Sequence, residues 1–368
     1  MIQFDHKKNS EGIMAYKKIE YGISFADISI QAYADKNRNL LFLREIENTI
    51  NWQPVQDLLL EHYEPGKSKT GEQAYPPLLL FKCLLLQKWF RIKSDPELES
   101  QINDRISFKS FLQLPLGQPS PDHSTFSRFR GRLSKKAMVK INSALLKQFH
   151  QHGLSINEGV AVDARLVKSV SHPVSQEELR KLIEKAETPE GKLDKNGNKK
   201  KYSRDLDSNW TIKNDKPHFG LKEHSAVDTK NGFILSTYLT PSSQNDSIHL
   251  PMVIISSMHT KDKIQTVYAD KGYAGAPNRG FLALNKIQDG IMRKDSKTAK
   301  LTETEIERNK SISKFRYIVE QYFGISHLHD SAERARFPQI LKNTIDIMFR
   351  QFAFNLKKGA KILNVIPV

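Results

Sequence analysis

The sequence predicts an all-α N-terminal domain followed by an α/β domain with a partly parallel sheet. Two observations predict this fold class. Apolar residues recur at helical spacing through most of the stretch from Leu40 to Phe149. From Gly159 onward, short β-prone runs alternate with helical segments, which is typical of an α/β domain. A length of 368 residues is enough for two or three domains with a sizeable core.

The composition favours a polyanionic partner. The chain has 57 Lys and Arg residues against 41 Asp and Glu, a formal charge of +16. Nucleic acid is the usual partner of such a chain, although a basic protein without one has the same composition. The single cysteine, Cys83, excludes an internal disulfide and a thiolate zinc site. No run resembles a signal peptide or a membrane span, so we expect a cytoplasmic protein without a membrane partner, associated with the nucleoid if it binds DNA.

The N-terminal half is predicted to begin with an arm at residues 1–38 and to continue as a helical domain at residues 39–152. The apolar run Leu78–Trp89 follows two prolines and is predicted to be a buried helix. Asp122 and the polar residues after it can cap a long helix from about Ser124 to Phe149. Short helices around a buried one suit a DNA-binding domain, although a purely structural bundle would show the same pattern.

Three arginines lie on this last predicted helix. Arg128 and Arg132 are four residues apart and share one face, whereas Arg130 points to the other side. We predict that they contact DNA phosphates, which fixes the register of a protein on the duplex without reading its sequence. A solvated helix face would have the same composition.

The α/β domain is predicted at residues 153–358, with a lysine-rich insertion at about 171–216. The insertion is poor in apolar residues, and we predict that it is helical at Gln176–Ala186 and otherwise partly disordered. Beyond it, two runs of alternating apolar and polar residues flank Asn231-Gly232. This pattern predicts a β-hairpin.

Two aspartates stand at unusual places in predicted strands. Asp163 lies in the β-prone run Val160–Ala164, on the same face as Ala161, and Asp270 ends the run that begins at Thr266. In an open α/β sheet the reactive crevice lies beyond the carboxyl ends of the strands. Two aspartates side by side there would repel each other unless a cation lay between them, and Mg²⁺ suits such oxygen ligands.

Glu320 is the third candidate acid. The segment Phe315–Ile325 has one apolar helical face, and Arg316 and Glu320, four residues apart, share another face. If this helix packs on the sheet, Glu320 can reach toward the two aspartates. The alternative is an ordinary surface ion pair between Arg316 and Glu320, worth about 0.3–0.5 kcal/mol.

Three such carboxylates suit the cleavage of a DNA phosphodiester. Water or a 3′-hydroxyl attacks the phosphorus in line, and two metal ions about 4 Å apart can activate the attacking oxygen and stabilise the leaving one. The protein contributes positioning and charge. We predict that Asp163 bridges both ions, while Asp270 and Glu320 each hold one.

Five blocks around these residues resemble the IS4/IS5 superfamily of bacterial insertion-sequence transposases, and most closely its IS5-like group. In chain order they are Pro121–Arg130, Gly159–Ala164, Trp210–Asp228, Tyr268–Tyr273, and Arg316 followed after three residues by Glu320. Each block alone is weakly specific, but the order and spacing of the five blocks together are specific. The resemblance covers about residues 40–355.

The resemblance implies an RNase H-like catalytic domain, with a mixed five-stranded sheet and flanking helices, whose triad is Asp163, Asp270 and Glu320. It implies two Mg²⁺ ions per active site, for which Mn²⁺ can substitute. It also implies double-stranded DNA as partner, both the terminal inverted repeats of a transposon and the target DNA. A homodimer is expected in the DNA-bound assembly.

Four residues near the triad are further predicted to contact DNA: Lys222, Lys271, Arg316 and His327. The family often has a lysine where His327 stands and a tyrosine where Ser313 stands, and these departures concern the grip on the transposon end. A metal-dependent nuclease without strand transfer would need the same triad. A domesticated DNA-binding relative or an RNA-binding basic protein would not need it.

Overall fold

The structure is a computed structural model that describes residues 16, 17, 19, 36–65, 73–156, 158–193, 197, 200, 202, 204–259, 263–295, 300–330 and 332–365. The chain divides into two compact units, Met1–Ala137 and Met138–Val368, and each is described by itself. The predicted boundary at residues 152 and 153 falls later than this division. Most of the predicted arm at residues 1–38 lies outside the described residues.

Helices dominate the first unit. They are α1 (Arg38–Thr49), α2 (Gln53–His62), α3 (Pro77–Trp89), α4 (Asp95–Asp104), α5 (Ile106–Leu112) and α6 (His123–Arg132). The prediction of a buried helix after the two prolines is confirmed, because α3 has Pro77 in its first turn and is buried along nearly its whole length. Even Lys82 of α3 is buried, where it pairs with Glu47 at 2.8 Å.

The single helix predicted from about Ser124 to Phe149 is wrong, because α6 ends at Arg132 and a second helix, α7 (Lys135–Gln151), follows it. The backbone at Leu133 is extended, with φ −72° and ψ 134°. Ser134 Oγ then accepts a 3.1 Å hydrogen bond from the backbone N–H of Ala137, which caps a new helix. Leu133 is itself buried, so apolar periodicity runs across the break and does not show it.

A mixed sheet of six strands forms the centre of the described part of the second unit. Its strands are β1 (Gly159–Lys168), β2 (Asn209–Lys213), β3 (Lys216–Asp228), β4 (Ile234–Pro241), β5 (Thr266–Ala269) and β6 (Gln288–Ile291). β1 pairs antiparallel with β3 and parallel with β5, and β5 pairs parallel with β6. β2 and β4 pair, one after the other, with the remaining edge of β3.

The predicted count of five strands is therefore wrong by one. The additional strand, β2, lies in the segment interpreted as a lysine-rich insertion. Trp210 anchors it, because Nε1 donates a 2.7 Å hydrogen bond to the carbonyl of Val174 and the indole packs against Phe219. The local sequence is short and polar, so the strand depends on this tertiary contact rather than on its own alternation.

The hairpin predicted around Asn231-Gly232 is confirmed, since β3 and β4 are antiparallel neighbours joined there. Gly232 has φ +70°, a left-handed conformation that glycine adopts without strain. The carboxylate of Asp228 accepts a 2.6 Å hydrogen bond from the backbone N–H of Asn231 and holds the turn.

The remaining helices flank the sheet. They are α8 (Gln176–Glu187), α9 (Pro189–Lys192), α10 (Leu250–Ile255), α11 (Ala276–Leu284), α12 (Glu303–Asp330) and α13 (Ile340–Val365). The predicted helix at Gln176–Ala186 is confirmed as α8. α12 packs on the sheet where Val319 and Tyr322 meet Ala161, Val227 and Ile234. Within the described part of the chain, no helix is long and apolar enough to cross a membrane.

Candidate active site

The candidate site lies where the parallel pairing of β1 with β5 ends, which is the middle of β1 and the carboxyl end of β5. Ala161 of β1 is opposite Tyr268 of β5. Asp163 is two residues beyond Ala161, and Asp270 two residues beyond Tyr268 and directly after the last residue of β5. Both aspartates therefore lie just past the last paired residues of β1 and β5, although β1 itself continues beyond Asp163, which is opposite Ser225 of β3.

Asp163 faces the helix that carries Glu320. Ala161 is buried against Val319 and Tyr322 of α12, and side chains two residues apart on a strand share a face. Asp163 accordingly lies on the α12 side of the sheet, where it is partly buried.

Arg316 of α12 joins two of the three acids. Its Nη2 lies 3.2 Å from Oδ2 of Asp163 and 3.5 Å from Oε1 of Glu320. The arginine side chain is largely enclosed, at 11% exposure, whereas that of Glu320 is 58% exposed. The two acids thus share one guanidinium, and the alternative of an Arg316–Glu320 pair confined to the helix surface does not describe the site.

Asp270 and Glu320 both lie close enough to Asp163 to influence its protonation. Burial raises the pKa of Asp163 to about 6, and the negative charges of Asp270 and Glu320 add to the rise. Arg316 and the backbone N–H of Ala164 oppose it by stabilising the carboxylate. Three carboxylates lie near one guanidinium, that of Arg316, so the site favours a bound cation.

Asp270 is held by the turn that follows β5. Its Oδ1 accepts a 2.7 Å hydrogen bond from the backbone N–H of Gly272 at the start of a short 3₁₀ turn, Lys271–Tyr273. Tyr273 is buried, and Lys271 is exposed. The turn leaves the second oxygen of Asp270 available at the sheet edge, since the hydrogen bonds of the described residues engage Oδ1 alone.

Two contacts set the position of α12 over the sheet. The ring of Phe315 stacks on Tyr268 at a centroid distance of 4.4 Å and an angle of 12°. Tyr268 lies against two glycines, because a Cβ atom on Gly159 would come 3.0 Å from the ring and one on Gly290 would come 2.8 Å from it. One turn beyond Val319, Tyr322 Oη donates a 2.8 Å hydrogen bond to Glu223 of β3. Arg316 and Glu320 lie between these two anchors.

Sequence reasoning missed Glu223, which is fully buried. Its carboxylate accepts hydrogen bonds of 2.6 and 3.0 Å from Arg165, and Arg350 of α13 lies 3.9 Å away. A glutamate in an otherwise β-prone run was the available signal, because a buried charge requires a partner.

The donor chemistry of the three acids fits Mg²⁺. All their ligand atoms are carboxylate oxygens, and this ion is usually held by one or two carboxylates together with phosphate and water oxygens. Among the described residues, no three His, Cys, Asp or Glu side chains converge closely enough to form a metal site by themselves. Asp163, Asp270 and Glu320 are the residues that would hold the ion, together with oxygens from phosphate and water.

The structure contradicts two of the predicted DNA contacts. Arg130 is 2% exposed and its guanidinium binds both carboxylate oxygens of Asp95, at 3.0 and 3.1 Å, so it is a buried structural residue. The ammonium of Lys222 lies 2.7 Å from both Asp246 and the carbonyl of Gln244, with 12% exposure of the side chain, and it holds the segment after β4.

The other five residues predicted to contact DNA differ in their exposure to solvent. Arg128 and Arg132 of α6 are exposed in the first unit. Lys271 and His327 are exposed in the second, and Nδ1 of His327 lies 3.9 Å from Glu333. Arg316 is bound to the acids of the site. Four of the seven predicted cations are thus accessible to a ligand.

The comparisons with known proteins identify the family of the chain. A family model described as "Transposase DDE domain" matches residues 155–356, and one described as "Transposase domain (DUF772)" matches residues 29–132. Both the sheet and the three acids fall inside the match to the DDE domain, which spans more than half of the chain. The chain belongs to the DDE transposase family.

A protein of similar sequence is also described as a transposase. The chain is 32% identical over 242 residues to the transposase for insertion sequence element IS1106 of Neisseria meningitidis serogroup B. This alignment covers 65% of this chain and 79% of that protein. Among solved structures, the chain is similar to a piggyBac transposase in a synaptic complex with hairpin DNA, at 10% identity and a TM-score of 0.37, over 90% of this chain and 80% of that one.

Proposed function

We propose that this protein is an insertion-sequence transposase that cleaves DNA at the ends of its element and joins the freed 3′-hydroxyls to target DNA. Its partners are the terminal inverted repeats of the element and the target duplex, and two protomers assemble on the DNA. The observation that carries the proposal is the guanidinium of Arg316, which contacts both Asp163 and Glu320, one residue after Phe315 stacks on Tyr268 of the strand that ends before Asp270.

The reaction consists of two transfers at phosphorus. In the first, a water oxygen bonds to the phosphorus of the scissile phosphodiester and the bond to the 3′ oxygen breaks, which leaves a 3′-hydroxyl and a 5′-phosphate. In the second, that 3′-hydroxyl bonds to a phosphorus of the target strand, and a target 3′-hydroxyl leaves. Bond energies change little in the second transfer, so positioning and charge carry the catalysis.

Asp163, Asp270 and Glu320 are proposed to hold two Mg²⁺ ions, with Mn²⁺ as a substitute. When bound, the ions supply activation of the attacking oxygen and stabilisation of the leaving one. Asp163, whose side chain is 22% exposed, would hold the ions from within the sheet, together with Asp270 at the end of β5 and the more exposed Glu320. Arg316 is proposed to orient Asp163 and Glu320 and to contact a phosphate oxygen.

Exposed cations are proposed to hold the DNA backbone around the site. Lys271 directly follows Asp270, and His327 lies two turns beyond Glu320 on α12. Arg128 and Arg132 of α6 are proposed to contact phosphates from the first unit. Such contacts fix the register of the DNA and depend strongly on salt.

The test compares wild type with Asp163→Asn, Asp270→Asn and Glu320→Gln on labelled duplex DNA that carries the ends of the element, with Mg²⁺ or Mn²⁺. Wild type is expected to cleave at the end and to form joined products, and each variant is expected to bind the DNA without cutting it. Glu177→Gln is the matched control, because Glu177 is 78% exposed on α8.

Three results would count against this proposal. A triad variant with full activity would mean that one acid is wrongly assigned. Cleavage without joined products would identify a nuclease. Binding without cleavage in either metal would identify a DNA-binding relative that lacks the activity.

A further inference from the structure

Outside the triad, three arginines surround one aspartate at β6. Arg279 of α11 forms an ion pair with Asp289, and nitrogens of Arg293 and Arg308 each lie 3.9 Å from the same carboxylate. The three cations come from three elements: α11, the segment after β6, and α12. They are 24%, 40% and 31% exposed, so solvent reaches all of them.

Backbone contacts hold this arginine cluster in place. Arg308 donates hydrogen bonds of 2.6 and 2.9 Å to the carbonyls of Asp289 and Ile291. The side chain of Asn309 binds both the N–H and the carbonyl of Arg293, at 2.9 and 3.0 Å. A ligand would therefore meet the guanidiniums of Arg279 and Arg308 already held by Asp289 and by backbone carbonyls, and that of Arg293 on a fixed backbone, which lowers the entropic cost of binding.

The arginine cluster carries excess positive charge. Among the described residues, Asp289 and the exposed Glu305 are the carboxylates that face it, so three positive charges there stand against two negative ones. Burial and the nearby charges of Arg293 and Arg279 lower the pKa of Arg308. An anion bound to the cluster would relieve this repulsion between like charges.

The arginine cluster flanks the acid site. β5 and β6 are parallel, with Ala269 opposite Ile291. Asp270 follows Ala269 directly and Arg293 comes two residues after Ile291, so both leave the same edge of the sheet. Neighbouring strands are about 4.8 Å apart, so Arg293 is the member of the cluster within the reach of a DNA backbone whose scissile phosphate lies at the triad.

We propose that Arg279, Arg293 and Arg308 form a binding site for a phosphodiester of the DNA strand, next to the one that is cut. The site rests on the proposed function, because the strand it holds is the substrate. Guanidinium groups suit a phosphate, since they donate two parallel hydrogen bonds to its oxygens. The contact is made to the backbone and is independent of base sequence.

The test measures the Kd of the full chain for a random-sequence DNA duplex over a series of salt concentrations. Arg293→Gln is expected to weaken binding severalfold and to reduce the slope of log Kd against log salt by about 0.9, as one lost phosphate contact does. Arg293→Lys is expected to recover most of the slope because it keeps the charge. Arg180→Gln is the control for the loss of one positive charge. Arg180 is exposed on α8, and α8 packs through Leu179 against Phe219, at the end of the sheet away from β6.

The outcomes separate this inference from the function on which it rests. If Arg293→Gln and Arg180→Gln give the same slope while wild type binds DNA, the arginine cluster is not a phosphate site and the proposed function is untouched. If wild type does not bind the duplex, both proposals are overturned. Thermal unfolding checks that Arg293→Gln folds as wild type does, which is expected because Asn309 holds the backbone of Arg293 and not its side chain.

Discussion

Tyr322 donates a 2.8 Å hydrogen bond to the buried carboxylate of Glu223 and so ties α12 to β3, two residues beyond Glu320. At the other end of the site, Phe315 stacks on Tyr268 one residue before Arg316. The segment of α12 that faces Asp163 is therefore fixed at both ends. A displacement of about 1 Å can cost 10²-fold in the rate of a positioned reaction, so these anchors matter to catalysis as well as to stability.

We expect Tyr322→Phe to lower the free energy of unfolding by about 1–3 kcal/mol, because it removes a buried hydrogen bond to a charged group and leaves the ring in place. Chemical denaturation measures the change. The matched control is Tyr317→Phe on the same helix, where the side chain is 55% exposed and the change is expected to be small. Equal effects of the two substitutions would contradict a structural role for the Tyr322 hydroxyl.

The pH dependence of stability tests Glu223. Burial alone would raise the pKa of this carboxyl, but the guanidiniums of Arg165 and Arg350, with the hydrogen bond from Tyr322, outweigh it and lower the pKa below its ordinary value of 4.5. A carboxyl with a lowered pKa in the folded state stabilises the fold fully above about pH 4.5 and loses that contribution as the pH falls.

We therefore expect Glu223→Gln to cost about 3 kcal/mol or more of unfolding free energy at pH 7, because it leaves two buried arginines without their carboxylate. The difference from wild type is expected to shrink as the pH falls below 4.5, because the carboxyl binds a proton in the unfolded chain first and in the folded protein only at lower pH. Denaturant titrations at a series of pH values measure it. A difference that stays constant down to the acid transition would show that Glu223 is not ionised in the folded state.

Gly290 provides a test of the Phe315–Tyr268 anchor. A Cβ atom there would lie 2.5 Å from the carbonyl oxygen of Val267 and 2.8 Å from the ring of Tyr268. We expect Gly290→Ala to destabilise the protein by about 1–3 kcal/mol, since a strand cannot shift freely to relieve the overlap.

Gly280→Ala is the control for this substitution. A Cβ atom on Gly280 would meet no atom of the described residues within 4 Å, and Gly280 lies in α11, where alanine is favoured by up to about 1 kcal/mol. Denaturation midpoints that move in the same direction for both variants would count against the steric explanation.

Local patterns predicted the parts of the fold whose partners are nearby in sequence. The hairpin around Asn231-Gly232 and the helix after Pro77 depend on turn chemistry and apolar periodicity, and both are confirmed. β2 depends on the contact between Trp210 and Val174, 36 residues away, and no local pattern shows it. The break before α7 depends on a single capping serine inside an apolar period that continues across it.

The sequence predicted which residues belong to the candidate site but not which of their side chains are in contact. Alternation along β1 placed Asp163 on the face of Ala161, and helical spacing placed Arg316 beside Glu320. Which acids Arg316 contacts follows from how α12 packs on the sheet, and spacing within the helix does not contain that information. For the same reason the sequence could not show that Arg130 points inward to Asp95 while Arg128 points outward.

These two arginines of α6 make the last prediction. Arg130 is buried and bidentate to Asp95, so Arg130→Ala is expected to cost about 3–5 kcal/mol of unfolding free energy by leaving a poorly solvated carboxylate without its partner. Arg128 is 57% exposed and lies 3.8 Å from Asp122, so Arg128→Ala is expected to change stability by no more than about 0.5 kcal/mol.

For DNA affinity the expected order is reversed. Arg128→Ala removes a proposed phosphate contact and is expected to weaken binding and to lower its salt dependence. Arg130→Ala, measured at a temperature where the variant is folded, is expected to bind DNA as wild type does because its guanidinium never reaches the surface. A loss of affinity for folded Arg130→Ala that equals the loss for Arg128→Ala would mean that Arg130 leaves Asp95 when DNA binds, and that the inward conformation describes only the free protein.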